Sequence, residues 1–499
     1  MCCDRRVRTN APKQMRRTRK WHSIFVLISS CLTMVLHVGL LNAIGTFFTD
    51  VMTTFNSSRA ETAVIQSSAI GVFLCLGIFT GALITKFGLT VVGMLGSFIV
   101  SVGLMACFFA SSLTYLIISI GVVSGLGVFC VYISSVTAIS QYFSGKKQSF
   151  YLSIHATGPG VGGMIYPYFI RYLSDVYGFR GALLLIGAIC MNTVPACILW
   201  KRHNNTIKRQ NGTEFTNQID EFQTRFKEKT EGSGDIILIE KLKETASAET
   251  SDSVYVSQYP VVHDEMKTKT VIVQAARENL ADSNKSKASK NIKQTLSNKV
   301  FMTFVIGLTI VFPSVLLIVI FVADIYQDNG LSSDDVSLGL FLVNVTSIIG
   351  RLLPGILLQS KRVSPLILPL INAVFTAVLI FVFVLVESRW FLIVLTCAVG
   401  IPMGIVSSMI TVVTLKLVGS DTLPTALGIC FTLIGIGQVV SGPVNGYIRD
   451  VTGSYTAIFY AAAGVNLVAV VLFFVAYIMR RKETQNIKKR SSVFYLTSF

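Results

Sequence analysis

Charged residues are scarce in this sequence. Asp, Glu, Lys and Arg make up 14% of its 499 residues, about half of the roughly 25% found in a typical soluble domain. The deficit is uneven, because long stretches carry no charge, and hydrophobic residues reach 52%. This composition excludes an ordinary soluble enzyme, a disordered chain and a fibrous protein, and it favours a polytopic membrane protein.

Signatures of metal sites and of common enzymes are missing as well. The ten cysteines form no Cys-x-x-Cys pair and show no zinc-ligand spacing, and most lie in apolar stretches, where unreactive buried thiols are expected. Neither HExxH, GxSxG nor a P-loop motif occurs. We therefore expect no metal, no cofactor and no enzymatic activity. Cys2 and Cys3 stand apart beside a basic stretch, where palmitoylation is an alternative.

The net charge is strongly positive, at +17 from 43 Lys and Arg against 26 Asp and Glu. In a soluble protein such an excess would suggest nucleic acid as a partner. Here the basic residues flank apolar stretches, which indicates membrane topology and attraction to anionic lipid instead. We expect the lipid bilayer, and no nucleic acid, as the partner of these charges.

Twelve apolar stretches are long enough to cross a membrane as helices, since about 20 residues span the roughly 30 Å hydrocarbon core. They cover residues 23–48, 62–84, 90–111, 114–141, 150–172, 181–201, 299–323, 338–358, 364–387, 390–416, 424–447 and 456–479. Six precede and six follow a long polar segment. The sequence therefore predicts an all-α membrane protein with twelve transmembrane helices in two six-helix bundles.

These stretches divide the chain into five parts. We assign a basic cytosolic N-terminus to 1–22, the first bundle to 23–201, a central loop to 202–298, the second bundle to 299–479 and a cytosolic tail to 480–499. The central loop is rich in Lys, Glu, Ser, Thr and Asn and has no hydrophobic periodicity. Such a composition is typical of a disordered linker.

Basic residues are unevenly distributed between the two sets of loops. One set carries Lys86, Lys146–Lys147, Lys361–Arg362, Lys416 and Arg480–Arg481–Lys482, whereas the other set is short and mainly acidic. The positive-inside rule then places both termini and the central loop in the cytosol. Because the sequence has no retention, peroxisomal, transit or cleavable signal, we expect the plasma membrane.

The loop after the second stretch carries a known pattern. Residues 81–88 read Gly-Ala-Leu-Ile-Thr-Lys-Phe-Gly, which resembles the loop signature of the major facilitator superfamily, with Thr85 in place of its acid. A plain positive-inside turn is the alternative. The layout of two six-helix bundles around a central loop fits the same superfamily.

Further segments carry more specific motifs. The sequence from Tyr142 to Lys147 runs into the Gly- and Pro-containing segment 155–162, and this pattern resembles the fifth-helix signature of the monocarboxylate transporter family. Phe179-Arg180-Gly181 stands where that family has Trp-Arg-Gly. Segments 56–63 and 450–460 are similar to its first and last outer loops. The resemblance implies gating or conformational roles, with static packing as the alternative for the helix glycines. The residues concerned are Lys86, Gly88, Lys146, Lys147, Gly158 and Pro159.

Arg351 is the most informative residue of the eighth stretch. It lies about three helical turns before Lys361–Arg362, inside the span, where a charge is costly unless it faces a cavity or a partner. An anion site is one interpretation, because the planar guanidinium matches a carboxylate. Snorkelling towards lipid phosphates is the other. In the family that this chain resembles, the equivalent arginine binds the substrate carboxylate.

Two positions depart from that family's pattern. Asn42 stands where proton-coupled members have a lysine, and Ser347 stands where they have an aspartate. Both side chains can still bind a ligand through hydrogen bonds, but the ionisable pair is missing, so we expect weak or absent proton coupling. His37 and His155 are intramembrane groups that could handle protons, and packing is the alternative role for each.

Together these features predict a secondary-active or facilitative carrier of monocarboxylates or related small organic anions, working by alternating access. The alternatives are a carrier of aromatic amino acids or iodothyronine-like compounds, and a non-transporting sensor on the same fold. The resemblance also implies a single-pass immunoglobulin-like chaperone. The C-terminal residues Thr497–Phe499 fit a PDZ-domain ligand, which adds a strand to the domain edge.

Overall fold

The computed structural model describes most of the chain outside its central segment. The described residues are 13–57, 59–75, 83–84, 86–201, 292–360, 363–386, 388–452 and 455–496. Within them the chain is helical and contains no β-strand. Several predicted features lie outside the described residues: the pair Cys2 and Cys3, most of the 202–298 loop, Thr85, Lys361–Arg362 and Thr497–Phe499.

Twelve long helices, α1 to α12, follow one another in the described residues. In the first half, α1 covers 13–55, α2 Arg59–Cys75, α3 Leu89–Ala106, α4 113–142, α5 148–177 and α6 179–200. In the second half, α7 covers Lys299–Asp328, α8 Ser333–Leu357, α9 Ile367–Val384, α10 Arg389–Val418, α11 Leu423–Thr452 and α12 Tyr455–Leu496.

The lengths and hydropathies of these helices confirm the predicted membrane fold. Within the part of the chain that the structure describes, ten segments are long and apolar enough to cross a membrane. One of them, Gln148–Trp200, contains both α5 and α6, which are separated where Gly178 adopts φ 70°. The shorter apolar helix Val64–Cys75 lies within α2. Counting α5 and α6 separately and adding α2 gives the twelve spans expected from the sequence.

Helix α1 is irregular at two places. A π-helical segment covers Met34–Val38 and a 3₁₀ segment covers Ile44–Phe47, with the short α-helical segment Gly39–Ala43 between them. Such departures from α geometry are often found at functional sites. The carbonyl of Leu36 accepts a hydrogen bond of 2.9 Å from the Tyr166 hydroxyl of α5.

Glycines bring pairs of helices within each half into backbone contact. A β-carbon placed on Gly39 of α1 would lie 2.6 Å from the α-carbon of Gly162 in α5. In the second half, a β-carbon on Gly404 of α10 would lie 2.8 Å from the Arg351 backbone nitrogen of α8. Small residues at such positions allow membrane helices to approach closely. The α1–α5 and α8–α10 pairs are therefore packed so closely at these glycines that a larger side chain would not fit there.

The two ends of the helical bundle differ in charge. At one end the Tyr142 hydroxyl donates to the Lys201 carbonyl at 2.9 Å, and Arg480 donates to the Lys416 carbonyl at 3.1 Å. We call this end, which also carries Lys86 and Lys147, the basic end.

At the opposite end, an ion pair links the starts of α8 and α10. Arg389 donates to the Asp335 carboxylate at 2.7 Å, and Ser332 caps α8 through the same aspartate. The bond from Arg389 holds the pKa of Asp335 below its usual value, although burial opposes the shift. Because this pKa is lowered in the folded state, the pair stabilises the fold at neutral pH and weakens only as pH falls through the lowered pKa.

Candidate functional site

A polar stripe on α8 packs against small residues of α5, and these two helices belong to opposite halves. Asn344, Ser347 and Arg351 follow one another at spacings of three and four residues, so they share one face of α8. A β-carbon on Gly160 would lie 3.4 Å from Ser347 Oγ and 3.7 Å from Arg351 Nε. Helix α5 thus covers the polar stripe directly.

Arg351 is a buried cation at this junction of the halves. Its side chain is 5% exposed, and Nη1 donates to the Ala156 carbonyl of α5 at 2.7 Å. Its Nε is buried and has no hydrogen-bond partner. Among the described residues no carboxylate pairs with it. The guanidinium therefore retains unused donors, and a planar fork of donors binds carboxylates well.

The position of Arg351 along α8 differs from the expectation based on Lys361–Arg362. Helix α8 ends at Leu357, six residues after Arg351, so the arginine α-carbon lies about 9 Å from the helix end. A snorkelling arginine would leave its guanidinium exposed. The burial of this side chain against α5 instead directs it into the protein.

Two pairs of hydroxyl groups also join the halves. Tyr132 of α4 and Thr411 of α10 share a hydrogen bond of 3.1 Å, and Ser153 of α5 and Ser408 of α10 share one of 3.0 Å. All four side chains are buried. Since each bond needs one partner from each half, both bonds exist only while the halves are close together here.

An aromatic cluster surrounds the Tyr132 ring. Phe73 of α2, Phe129 of α4 and Phe431 of α11 pack edge-to-face with one another at centroid distances of 5.4 to 5.9 Å, and Tyr132 lies 5.1 Å from Phe431. Edge-to-face pairs are worth about 0.5–1.5 kcal/mol beyond the area they bury. The cluster therefore adds apolar cohesion to the contact between α2 and α4 of the first half and α11 of the second.

These contacts lie towards the basic end. Thr411 is seven residues from the end of α10, and Phe431 is eight residues from the start of α11, which is about 10–12 Å along each helix. Farther along, a β-carbon on Gly163 of α5 would lie 3.0 Å from Asn344 Oδ1. The halves are thus in contact from near the basic end up to about the middle of the bundle.

Asn42 lies on an exposed face of α1. Gly39, three residues before it, contacts α5, and a β-carbon on Gly45, three residues after it, would lie 3.2 Å from Gln66 of α2. At 100° per residue, Asn42 falls between these two faces. Its side chain is exposed and lies on the part of α1 between the contacts with α5 and α2.

Ser347 is placed differently from Asn42. It is fully buried, and its hydroxyl donates to the Asn344 backbone carbonyl of its own helix at 2.9 Å. The three predicted substrate contacts are therefore not equivalent: Asn42 is exposed, Ser347 is occupied within α8, and Arg351 is buried between the halves.

The two predicted histidines lie in different surroundings. His37 is buried inside the first half, where Nδ1 lies 2.9 Å from the Thr33 carbonyl and Nε2 lies 3.4 Å from Thr193 Oγ1. His155 Nε2 shares a hydrogen bond of 2.8 Å with Ser135, and its ring centroid lies 6.2 Å from that of Tyr132. Only His155 adjoins the contact between the halves.

The residues with predicted gating roles are spread over two regions. Gly88 has φ 83° at the start of α3, a backbone conformation that favours glycine, and Lys86 lies over the Phe87 ring. Lys147 is exposed next to α5, whereas the side chain of Lys146 lies outside the described set.

The pair Gly158 and Pro159 belongs to the interior of α5. A β-carbon on Gly158 would lie 2.5 Å from Met34 Cβ, at the π-helical segment of α1. Pro159 is buried within the helix. The pair therefore lies where α5 packs on the irregular part of α1.

Sequence reasoning missed several residues of this site. Tyr132, Thr411, Ser153 and Ser408 gave no motif, because single hydroxyl residues in apolar helices are common. Asn344 carries no motif of its own either. Its spacing of seven residues from that arginine was the available signal, since it corresponds to the same helix face.

Comparison with known proteins gives the same fold. The family model described as Major Facilitator Superfamily matches residues 30–418 and 300–496. A crystal structure of the E. coli fucose:proton symporter FucP aligns with TM-score 0.60 at 14% identity, covering 91% of this chain and 98% of that chain. A second FucP structure, in the outward conformation, gives TM-score 0.59 at 12% identity, with the same coverage.

Several similar proteins are named as monocarboxylate transporters. Monocarboxylate transporter 14 of Homo sapiens is 26% identical over 449 residues, covering 87% of this chain and 86% of that protein. Monocarboxylate transporter 9 of Gallus gallus is 26% identical over 460 residues, covering 88% and 89%. Monocarboxylate transporter 13 of Bos taurus is 24% identical over 437 residues, covering 88% and 85%. The resemblance inferred from the sequence motifs is confirmed, and the chain belongs to the Major Facilitator Superfamily.

Proposed function

We propose that this chain is a plasma-membrane carrier of monocarboxylates or related small organic anions, either secondary-active or facilitative, that works by alternating access. The observation that carries this proposal is the burial of Arg351 between the halves, with an unpartnered Nε. A buried cation without a fixed counter-ion is costly in a membrane. A substrate carboxylate would supply the missing acceptors.

The closed contacts near the basic end supply the conformational part of the proposal. We assign that end to the cytosol, since basic loops stay inside. The described state then has its cytosolic side closed by the hydroxyl pairs and the aromatic cluster. Release of substrate into the cytosol requires these contacts to separate, and a corresponding closure on the other side would complete the cycle.

Proton coupling is proposed to be weak or absent. Asn42 and Ser347 do not ionise, and Arg351 has no carboxylate beside it among the described residues. His155 is the one predicted histidine that adjoins the contact between the halves. Any proton effect on transport would therefore be expected to act through this residue.

Aromatic amino acids or iodothyronine-like compounds form the second candidate substrate class. The aromatic cluster favours it, because the Tyr132 ring packs on Phe431 and lies 6.2 Å from the His155 ring. The residue after His155 is Ala156, whose carbonyl accepts the hydrogen bond from Arg351, so the carboxylate site and the aromatic surfaces are neighbours. A sensor on the same fold would bind such a ligand without transporting it. The single-pass chaperone and a PDZ protein bound to Thr497–Phe499 remain proposed partners.

Replacement of Arg351 by lysine tests the anion site. The charge is kept, but the planar fork is lost, so uptake of the transported acid should fall at least tenfold, which corresponds to about 1.4 kcal/mol. Uptake of labelled acids into oocytes or proteoliposomes measures this, with surface expression determined in parallel. Arg171→Lys is the matched control, because Arg171 is an exposed arginine of α5. Unchanged uptake by the Arg351→Lys variant would remove this residue from the site.

A further inference from the structure

The proposed substrate site needs a second polar residue beside Arg351, and Ser347 is not available for this contact. Its hydroxyl donates within α8, and its side chain is fully buried under Gly160. The next polar residue on the same face of α8 is Asn344, which is only half-buried. Asn344 therefore remains accessible where Ser347 does not.

The amide of Asn344 is oriented by its own helix. Its Nδ2 donates to the Leu340 carbonyl at 3.0 Å, which leaves Oδ1 on the side of α5. There Oδ1 lies 3.0 Å from the position of a β-carbon on Gly163. A larger residue at Gly163 would press on this oxygen, whereas glycine leaves room beside it.

Arg351 and Asn344 border neighbouring positions of α5. Arg351 Nε lies 3.7 Å from the β-carbon position of Gly160, and Asn344 Oδ1 lies 3.0 Å from that of Gly163. Residues three apart on a helix have β-carbons about 5–6 Å apart. Arg351 Nε, an unpartnered buried donor, and Asn344 Oδ1, an amide acceptor, thus both face the same turn of α5.

We propose that Asn344 determines specificity, by accepting a hydrogen bond from a hydroxyl or ammonium group next to the carboxylate that Arg351 binds. The preferred substrates are then small acids with such a donor on the carbon beside the carboxylate. This inference rests on the proposed anion carrier. It adds a recognition group that Arg351 alone cannot provide, since a guanidinium donates and does not accept.

The loss of one neutral hydrogen bond has a bounded effect. Such a bond contributes about 0.5–1.5 kcal/mol, which corresponds to about a 2- to 13-fold change in affinity. In Asn344→Ala the KM for the donor-bearing acid should rise within this range, while the KM for the corresponding unsubstituted acid should stay within about twofold. The ratio of the two values is the diagnostic, because a general packing defect would change both.

The experiment compares uptake of 2-hydroxypropionate, propionate and 2-methoxypropionate by the full chain in proteoliposomes. The unchanged chain should prefer the hydroxy acid to both others, since the methoxy group cannot donate. Asn344→Ala and the isosteric Asn344→Leu should lose this preference.

Two further variants serve as controls. Ser347→Ala should keep the preference, because the Ser347 hydroxyl is bound within α8. Asn192→Ala removes an exposed asparagine with a similar bond to its own helix, from Nδ2 to the Ala188 carbonyl at 3.1 Å, and it should keep the preference as well.

The outcomes separate the two proposals. Uptake of all three acids with an unchanged preference in Asn344→Ala or Asn344→Leu would overturn the role of Asn344 and leave the carrier intact. Equal uptake of the hydroxy and methoxy acids by the unchanged chain would do the same without any variant. Absence of uptake of every organic acid tested, with the chain correctly inserted, would overturn the carrier and this inference with it.

Discussion

Removal of the Tyr132 hydroxyl should shift the chain towards the state that is open at the basic end. The bond between Tyr132 and Thr411 joins opposite halves at 3.1 Å, so it contributes only while that end is closed. At about 1 kcal/mol for a net hydrogen bond, Tyr132→Phe should raise the ratio of open to closed molecules about fivefold. The ring stays in place, so the aromatic cluster is retained.

The ratio of open to closed molecules can be measured from the distance between spin labels on the two halves. Ser144, between α4 and α5, and Ser420, between α10 and α11, are exposed at the basic end. Cysteines introduced at these positions carry the labels. Tyr132→Phe should increase the fraction of long distances, and Thr411→Val should do so by a similar amount.

A double-mutant cycle isolates the bond itself. The combined Tyr132→Phe and Thr411→Val variant should shift the population little beyond either single change, because both remove the same bond. Tyr166→Phe is the matched control: its hydroxyl bonds to Leu36 within the first half, so the distances should not change. An unshifted distribution in both single variants, or fully additive shifts in the double variant, would refute a closing role for this pair.

Two further expectations concern packing and energy coupling. Gly404→Ala should lower the melting temperature in detergent, because the added methyl group meets the backbone of α8 and overpacking costs about 1–3 kcal/mol. Gly464→Ala is the control and should be neutral or stabilising, because a β-carbon there meets no atom within 4 Å. Equal effects of the two changes on the melting temperature would contradict the close contact at Gly404. Uptake of the acid should differ less than about twofold with and without an imposed proton gradient, while an internal pH dye reports the gradient. A steep dependence of uptake on the gradient would contradict the inference from Asn42 and Ser347. His155→Gln would then be the variant to examine.

The sequence was sufficient for the membrane architecture. Each span needs about 20 apolar residues, so hydropathy alone located the twelve helices, and the long polar segment separated the two halves. The sequence also predicted α5 and α6 as separate spans, at 150–172 and 181–201, and the structure separates them at Gly178. These features depend on composition along the chain, which a single sequence contains.

Only part of the candidate site could be predicted from the sequence. Arg351 could be selected because a charge within a span is conspicuous. Its hydrogen bond to Ala156 and the covering of Ser347 by Gly160 could not be inferred, because they depend on which faces of α5 and α8 meet. The contact between Tyr132 and Thr411 joins residues 279 positions apart in the chain. Hydrophobic periodicity cannot predict such a contact.

The π-helical segment Met34–Val38 changes how the faces of α1 must be counted. A π turn contains one residue more than an α turn, and one residue corresponds to a rotation of about 100° around a helix. Positions before Met34 and after Val38 that would share a face at 3.6 residues per turn therefore point in different directions. For a relative whose first span is α-helical throughout, a one-residue gap at this segment is needed for residues beyond it, such as Asn42, to be matched to residues on the same face.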